Sequence, residues 1–141
     1  MPTLIDALLA IDAEKIVNKE TKNYEVERLS KLLGVPFILK LNPVHPKRYD
    51  GIQEQAIKMS GKAKYLGTDL NKLRVLTLCD GISEPNLSDK QLMKKFGAET
   101  PKELISKLFL AGEIIQIYEE IQKLSGLNVE DEEEKREEIK N

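Results

Sequence analysis

Residues 69–79 read Asp-Leu-Asn-Lys-Leu-Arg-Val-Leu-Thr-Leu-Cys. Leu70, Leu73, Val75, Leu76 and Leu78 recur at helical spacing and cover more than half of a helix circumference. A band that wide needs neighbours on several sides, so Asp69–Cys79 is expected to form the central, most buried helix of a helical domain. Gly81 suits the left-handed residue that closes a helix, and Pro85 prevents continuation. Aromatic residues are only 5% of the chain and Trp is missing, so the core around this helix must be aliphatic.

Working outward, two helix starts carry strong local signals. Ser88-Asp89-Lys90-Gln91 reads as a capping box, with Leu87 and Leu92 placed as a hydrophobic staple. Thr100-Pro101-Lys102-Glu103 reads as another, with Pro at the first helical position. Gly97 ends the short helix between them. A helix over Pro101–Leu110 runs into Gly112, which interrupts or kinks it, since Gly costs about 1 kcal/mol relative to Ala in a helix interior. A second apolar helix follows from Glu113 to about Leu124 and ends at Gly126.

On the N-terminal side, Thr3–Val17 reads as one helix capped by Thr3, with Asp6 three residues on. From Tyr24 the period changes to two, and Phe37, Leu39 and Leu41 share a face after Gly34. These runs suggest an antiparallel hairpin with an edge at Pro36, although Leu29 to Leu33 also fit a helical turn. Pro46 opens a helix carrying Tyr49, Ile52, Ala56 and Met59, and Gly61–Gly67 is expected to be a basic, mobile loop. The fold class is therefore mainly α (α+β): about six helices around a central apolar helix, with one small N-terminal antiparallel β-hairpin. Residues 1–129 are expected to form a single globular domain. Residues 130–141 hold seven acids, three bases and one large apolar residue, Ile139, and read as a mobile acidic tail.

Composition excludes several functions. There are 22 Lys+Arg against 24 Asp+Glu, a net charge of −2, which does not support a basic nucleic-acid or membrane-surface binder. One Cys and one His cannot build a Cys/His zinc site or an intrachain disulfide. The longest apolar run, Ala7–Ile11, is far below the ~20 residues that span a bilayer. No secretory signal is legible, so a cytosolic domain is expected. His45, between Val44 and Pro46, suits a helix cap better than a catalytic base, and Cys79 on the apolar helix suits packing. Ser60-Gly61-Lys62 fails as a phosphate loop, because Ala56 and Ala63 replace the required Gly and hydroxyl. No cofactor, metal or catalytic residue is expected. Ile114, Ile115, Ile117, Tyr118, Ile121 and Leu124 cover two faces of their helix, one for the domain and one open to a partner.

Several segments together resemble a known family. Lys95-Phe96-Gly97-Ala98-Glu99-Thr100-Pro101, Leu108-Phe109-Leu110-Ala111-Gly112-Glu113-Ile114 and Leu124-Ser125-Gly126 are similar to the XkdN-like phage tail assembly chaperones. So are Leu4–Ile16, Val26-Glu27-Arg28-Leu29-Ser30, Leu78-Cys79-Asp80-Gly81-Ile82 with Pro85, and the closing Glu138-Ile139-Lys140-Asn141. Ala111 departs from the pattern, where many relatives carry Pro. Phages and PBSX-like prophages of Gram-positive bacteria encode this family. The resemblance implies a non-catalytic protein that binds the tape measure protein and keeps it soluble until tail-tube subunits polymerise around it. It would act in the host bacterial cytoplasm and be absent from the finished virion. In many phages the gene also yields a longer, frameshifted form. The implied partners are the tape measure protein and, secondarily, the tail-tube protein, with self-association as a further expectation. Gly112, Glu113, Ile114, Ile117 and Ile121 are the candidate partner-contact residues. The alternative is a small prophage-encoded nucleic-acid-associated regulator using Lys62, Lys64, Lys72 and Arg74. A third is a small hydrolase relying on His45.

Overall fold

Asp69 starts α5 (Leu70–Gly81) by accepting a hydrogen bond from the Lys72 amide at 3.1 Å, satisfying a donor that the first turn leaves open. In the computed structural model, which describes residues 3–17, 19–59 and 65–127, α5 packs against α4 (Pro46–Ala56), α7 (Pro101–Leu108) and α8 (Ala111–Leu124). Leu73, Val75 and Leu78 are buried, whereas Leu70 is largely exposed. Thr77 is buried too, and its hydroxyl donates to the Leu73 carbonyl at 2.8 Å, so the core receives no unpaired hydroxyl there. Gly81 differs from its expected role. It is the last helical residue, and a Cβ there would lie 2.6 Å from Ile121 Cδ1, so its smallness serves the approach of α5 to α8.

The chain passes from Gly81 directly into β5 (Ile82–Glu84), which completes an antiparallel sheet in the order β1-β2-β5. β1 (Lys22–Glu25) pairs with β2 (Ile38–Leu41) from Lys22 opposite Leu41 to Glu25 opposite Ile38. A helix, α3 (Glu27–Leu33), joins these strands, in line with the helical alternative for Leu29 to Leu33, and it ends at Gly34 with φ +73°. The expected edge at Pro36 is also corrected: β2 lies between two strands and Pro36 precedes it. Leu39 and Leu41 are wholly buried, so the backbone N–H and C=O groups there need partners, which β1 and β5 supply on either side.

A second antiparallel ribbon joins β3 (Ile57–Met59) to β4 (Tyr65–Thr68). It replaces the expected final helical turn at Met59 and part of the expected loop. The helix stops at Ala56, which is buried, and the Asp69 amide donates to the Ala56 carbonyl at 2.7 Å, closing the base of the ribbon. Residues 60–64 and the acidic tail lie outside the described residues.

Eight helices are present among the described residues, against about six expected. Thr3–Val17 is two helices, α1 (Leu4–Ala10) and α2 (Ala13–Val17), because Ile11 is extended. α6 (Lys90–Lys95) is capped by Asp89, which accepts from the Leu92 amide at 2.9 Å, and not by Ser88. A carboxylate meets the positive end of a helix better than a hydroxyl. Thr100 caps α7, accepting from the Glu103 amide at 3.2 Å. The break between α7 and α8 falls at Phe109 and Leu110, both extended, and Gly112 sits inside the first turn of α8. The extended corner turns Phe109 inward, where its ring meets Phe37 edge-on at 6.4 Å.

Candidate docking groove

α3 places Arg28, Leu29, Leu32 and Leu33 on one side, at the spacing that stacks side chains along a helix. Leu29 turns into the core, while Leu32 and Leu33 remain 71% and 57% exposed. Facing them are Leu92, Phe96 and Leu108, with Phe37 and Pro85 completing an apolar groove of about 360 Å³. Phe96 is 38% exposed. The groove is apolar within and basic at its rim, where Arg28 and Lys107 stand.

Two cation clamps hold its walls. The Arg28 Nε donates to both carboxylate oxygens of Glu113, at 3.2 and 3.1 Å, and its Nη2 donates to Glu113 Oε1 at 2.9 Å and to the Leu108 carbonyl at 2.7 Å. Glu113 Oε1 also accepts from the Leu110 amide at 2.8 Å, so one carboxylate fixes α3, the end of α7 and the start of α8. The Arg28 hydrogen bonds hold the Glu113 carboxyl below the ordinary glutamate range, and Glu113 in turn raises Arg28. At the other end, the Lys107 ammonium donates to the Phe96 and Gly97 carbonyls at 3.0 and 2.9 Å. This ties α7 to the C-terminus of α6, a helix that contributes no buried residue of its own.

Ile114, Ile117 and Ile121 are buried, the last two completely, in contact range of α5 and not of solvent. Gly112 is exposed, and Glu113 belongs to the Arg28 clamp. Glu113 thus borders the groove only through Arg28, and the three isoleucines lie in the core, because α8 supplies its apolar stripe to α5. Lys62 and Lys64 lie outside the described residues. His45 caps α4, its Nδ1 accepting from the Lys47 amide at 3.2 Å. Burial pushes the Cys79 thiol up to about 11, which keeps it protonated at neutral pH. Among the described residues no His/Cys/Asp/Glu group is placed to hold a metal ion, and no helix is long and apolar enough to cross a membrane. Leu32, Leu33 and Phe96 were missed by sequence reasoning. Their signal was the Leu29, Leu32, Leu33 spacing in a helix of seven residues, together with an aromatic residue just before Gly97.

Residues 5–140 match the family model described as phage XkdN-like tail assembly chaperone protein. The fold is similar to the crystal structure of the protein YqbN, with a TM-score of 0.56 at 15% identity over 77% of this chain and 88% of that one. No curated protein sequence matches the chain.

Proposed function

Because this chain belongs to the XkdN-like phage tail assembly chaperone family, we propose that it binds and solubilises the tape measure protein during tail assembly, using the groove between α3, α6 and α7. The observation that carries this reading is a basic-rimmed groove whose large apolar side chains, Leu32, Leu33 and Phe96, stand in solvent. Exposed apolar surface gathered in one concavity is the feature expected of a site for the apolar stripe of a helix. Of the α8 residues, Gly112 and Glu113 would meet the partner beside exposed Leu110, while Ile114, Ile117 and Ile121 support the site from within. The protein acts without catalysis in the host cytoplasm and leaves before the virion is complete.

The test is co-expression with a tape measure protein. Leu32→Glu, Leu33→Glu and Phe96→Glu should each abolish co-purification while leaving the circular dichroism melt unchanged, because these side chains are already partly in water. Ile117→Glu and Ile121→Glu should unfold the chain, since each would place a carboxylate in a fully buried site. Retained co-purification in all three groove variants would move the partner site elsewhere.

A further inference from the structure

Among the described residues two apolar surfaces are uncovered, and they complement each other. α1 buries nothing: Leu4, Ile5, Leu8 and Leu9 are 85, 69, 62 and 79% exposed. Thr3 and Asp6 close a reciprocal capping box at its start, the Asp6 amide donating to Thr3 Oγ1 at 3.2 Å and the Thr3 amide to Asp6 Oδ2 at 2.9 Å. Even so, a helix of 7 residues is well below the ~12–15 at which isolated helices become marginal in water, so its order requires a surface to lie on.

The groove is the uncovered surface of matching chemistry. Its interior accepts leucine side chains, and its charge opposes that of α1. α1 itself carries one acid, Asp6, and no base, and Asp12 and Glu14 follow it before Lys15. Arg28, paired with Glu113, and Lys107 line the groove, while its helices add Lys31, Lys94 and Lys95 against Glu27. Within one chain the two surfaces lie beyond opposite ends of β1, α1 preceding Lys22 and the groove helix α3 following Glu25. We propose that α1 of one copy seats in the groove of a second copy, so that the protein self-assembles by exchanging its N-terminal helix. The acidic tail is the weaker occupant, because its one large apolar residue, Ile139, cannot fill an apolar groove.

Sedimentation velocity on the purified full chain, with no tape measure protein present, tests this. The wild type should sediment as species larger than the monomer and dissociate on dilution. Leu8→Glu and Leu32→Glu should each be monomeric and keep the helical signal of the domain while losing that of the seven residues of α1, since both side chains are mostly exposed within their own chain. Mixing those two variants should restore a heterodimer, because one intact helix and one intact groove remain. In a Cys79→Ser background, a Leu8→Cys chain mixed with a Leu32→Cys chain should oxidise to a covalent dimer. A wild type that stays monomeric at high concentration, or self-association that survives Leu8→Glu, overturns the proposal. So does a Leu8→Cys/Leu32→Cys double variant that closes its disulfide within one chain. Because no partner is present, failure here leaves the tape measure reading standing; only the co-purification experiment bears on that.

Discussion

Position 81 shows how one missing methyl group sets a helix crossing. A Cβ there would meet Ile121 Cδ1 at 2.6 Å and Cγ1 and Cγ2 at 3.0 Å. Ile121 is wholly buried and branched at Cβ, so it has few rotamers into which to retreat. Gly81→Ala gains part of the helix-propensity difference of about 1 kcal/mol, but forced overpacking typically costs ~1–3 kcal/mol. The expected result is a net loss of about 1–2 kcal/mol in urea unfolding. Adding Ile121→Val removes the closest atom, so the double variant should be more stable than the sum of the two single losses predicts. Additive losses would show that the helices separate freely at this crossing. The role of Gly81 was not legible in the sequence: a glycine before a proline at 85 reads as a terminator, and only the position of α8 reveals it as a contact.

At the scale of elements, α5 separates two kinds of leucine. Leu78 is fully buried, whereas Leu70, the first residue of the same helix, is 55% exposed. Leu78→Ala should destabilise by roughly 2–5 kcal/mol and Leu70→Ala by less than about half a kcal/mol, measured as shifts in urea midpoint. Equal effects would contradict the packing of this helix against α4, α7 and α8. Helix segments were readable wherever capping and periodicity coincided, as at Thr100-Pro101 and His45-Pro46. The joins were harder. The α3 helix between paired strands, the β3–β4 ribbon and the break at Phe109–Leu110 depend on which side chains must reach the core. Phe109 needs an extended backbone to meet Phe37, and nothing in the local residue order states that. For the same reason the isoleucines of α8 drew attention away from the groove. Their excess reported a buried stripe, while the exposed surface lay on the short helices α3 and α6.

Across the whole molecule, two ion pairs staple the β1–α3 side to α8: Arg28 with Glu113, and Lys22 with Glu120. Both carboxyls are held below the ordinary glutamate range, chiefly by hydrogen bonds from Arg28 and Lys22 respectively. A carboxyl depressed by folding contributes stability above its unfolded value, about 4.3 for Glu, and loses it as the pH falls through the folded value. Glu113→Gln should therefore be less stable than wild type at pH 7, and the two urea midpoints should converge as the pH falls below about 4. A constant gap across that range would mean that the clamp works by shape alone. The same molecule has a lopsided surface: α8 hides its isoleucines, while α1, α3 and α6 hold leucine and phenylalanine in water. Water against such side chains is structured at an entropic cost, and its release on covering is driven almost wholly by entropy near 25 °C. Covering these faces should therefore carry a negative heat-capacity change, the marker of apolar surface leaving water.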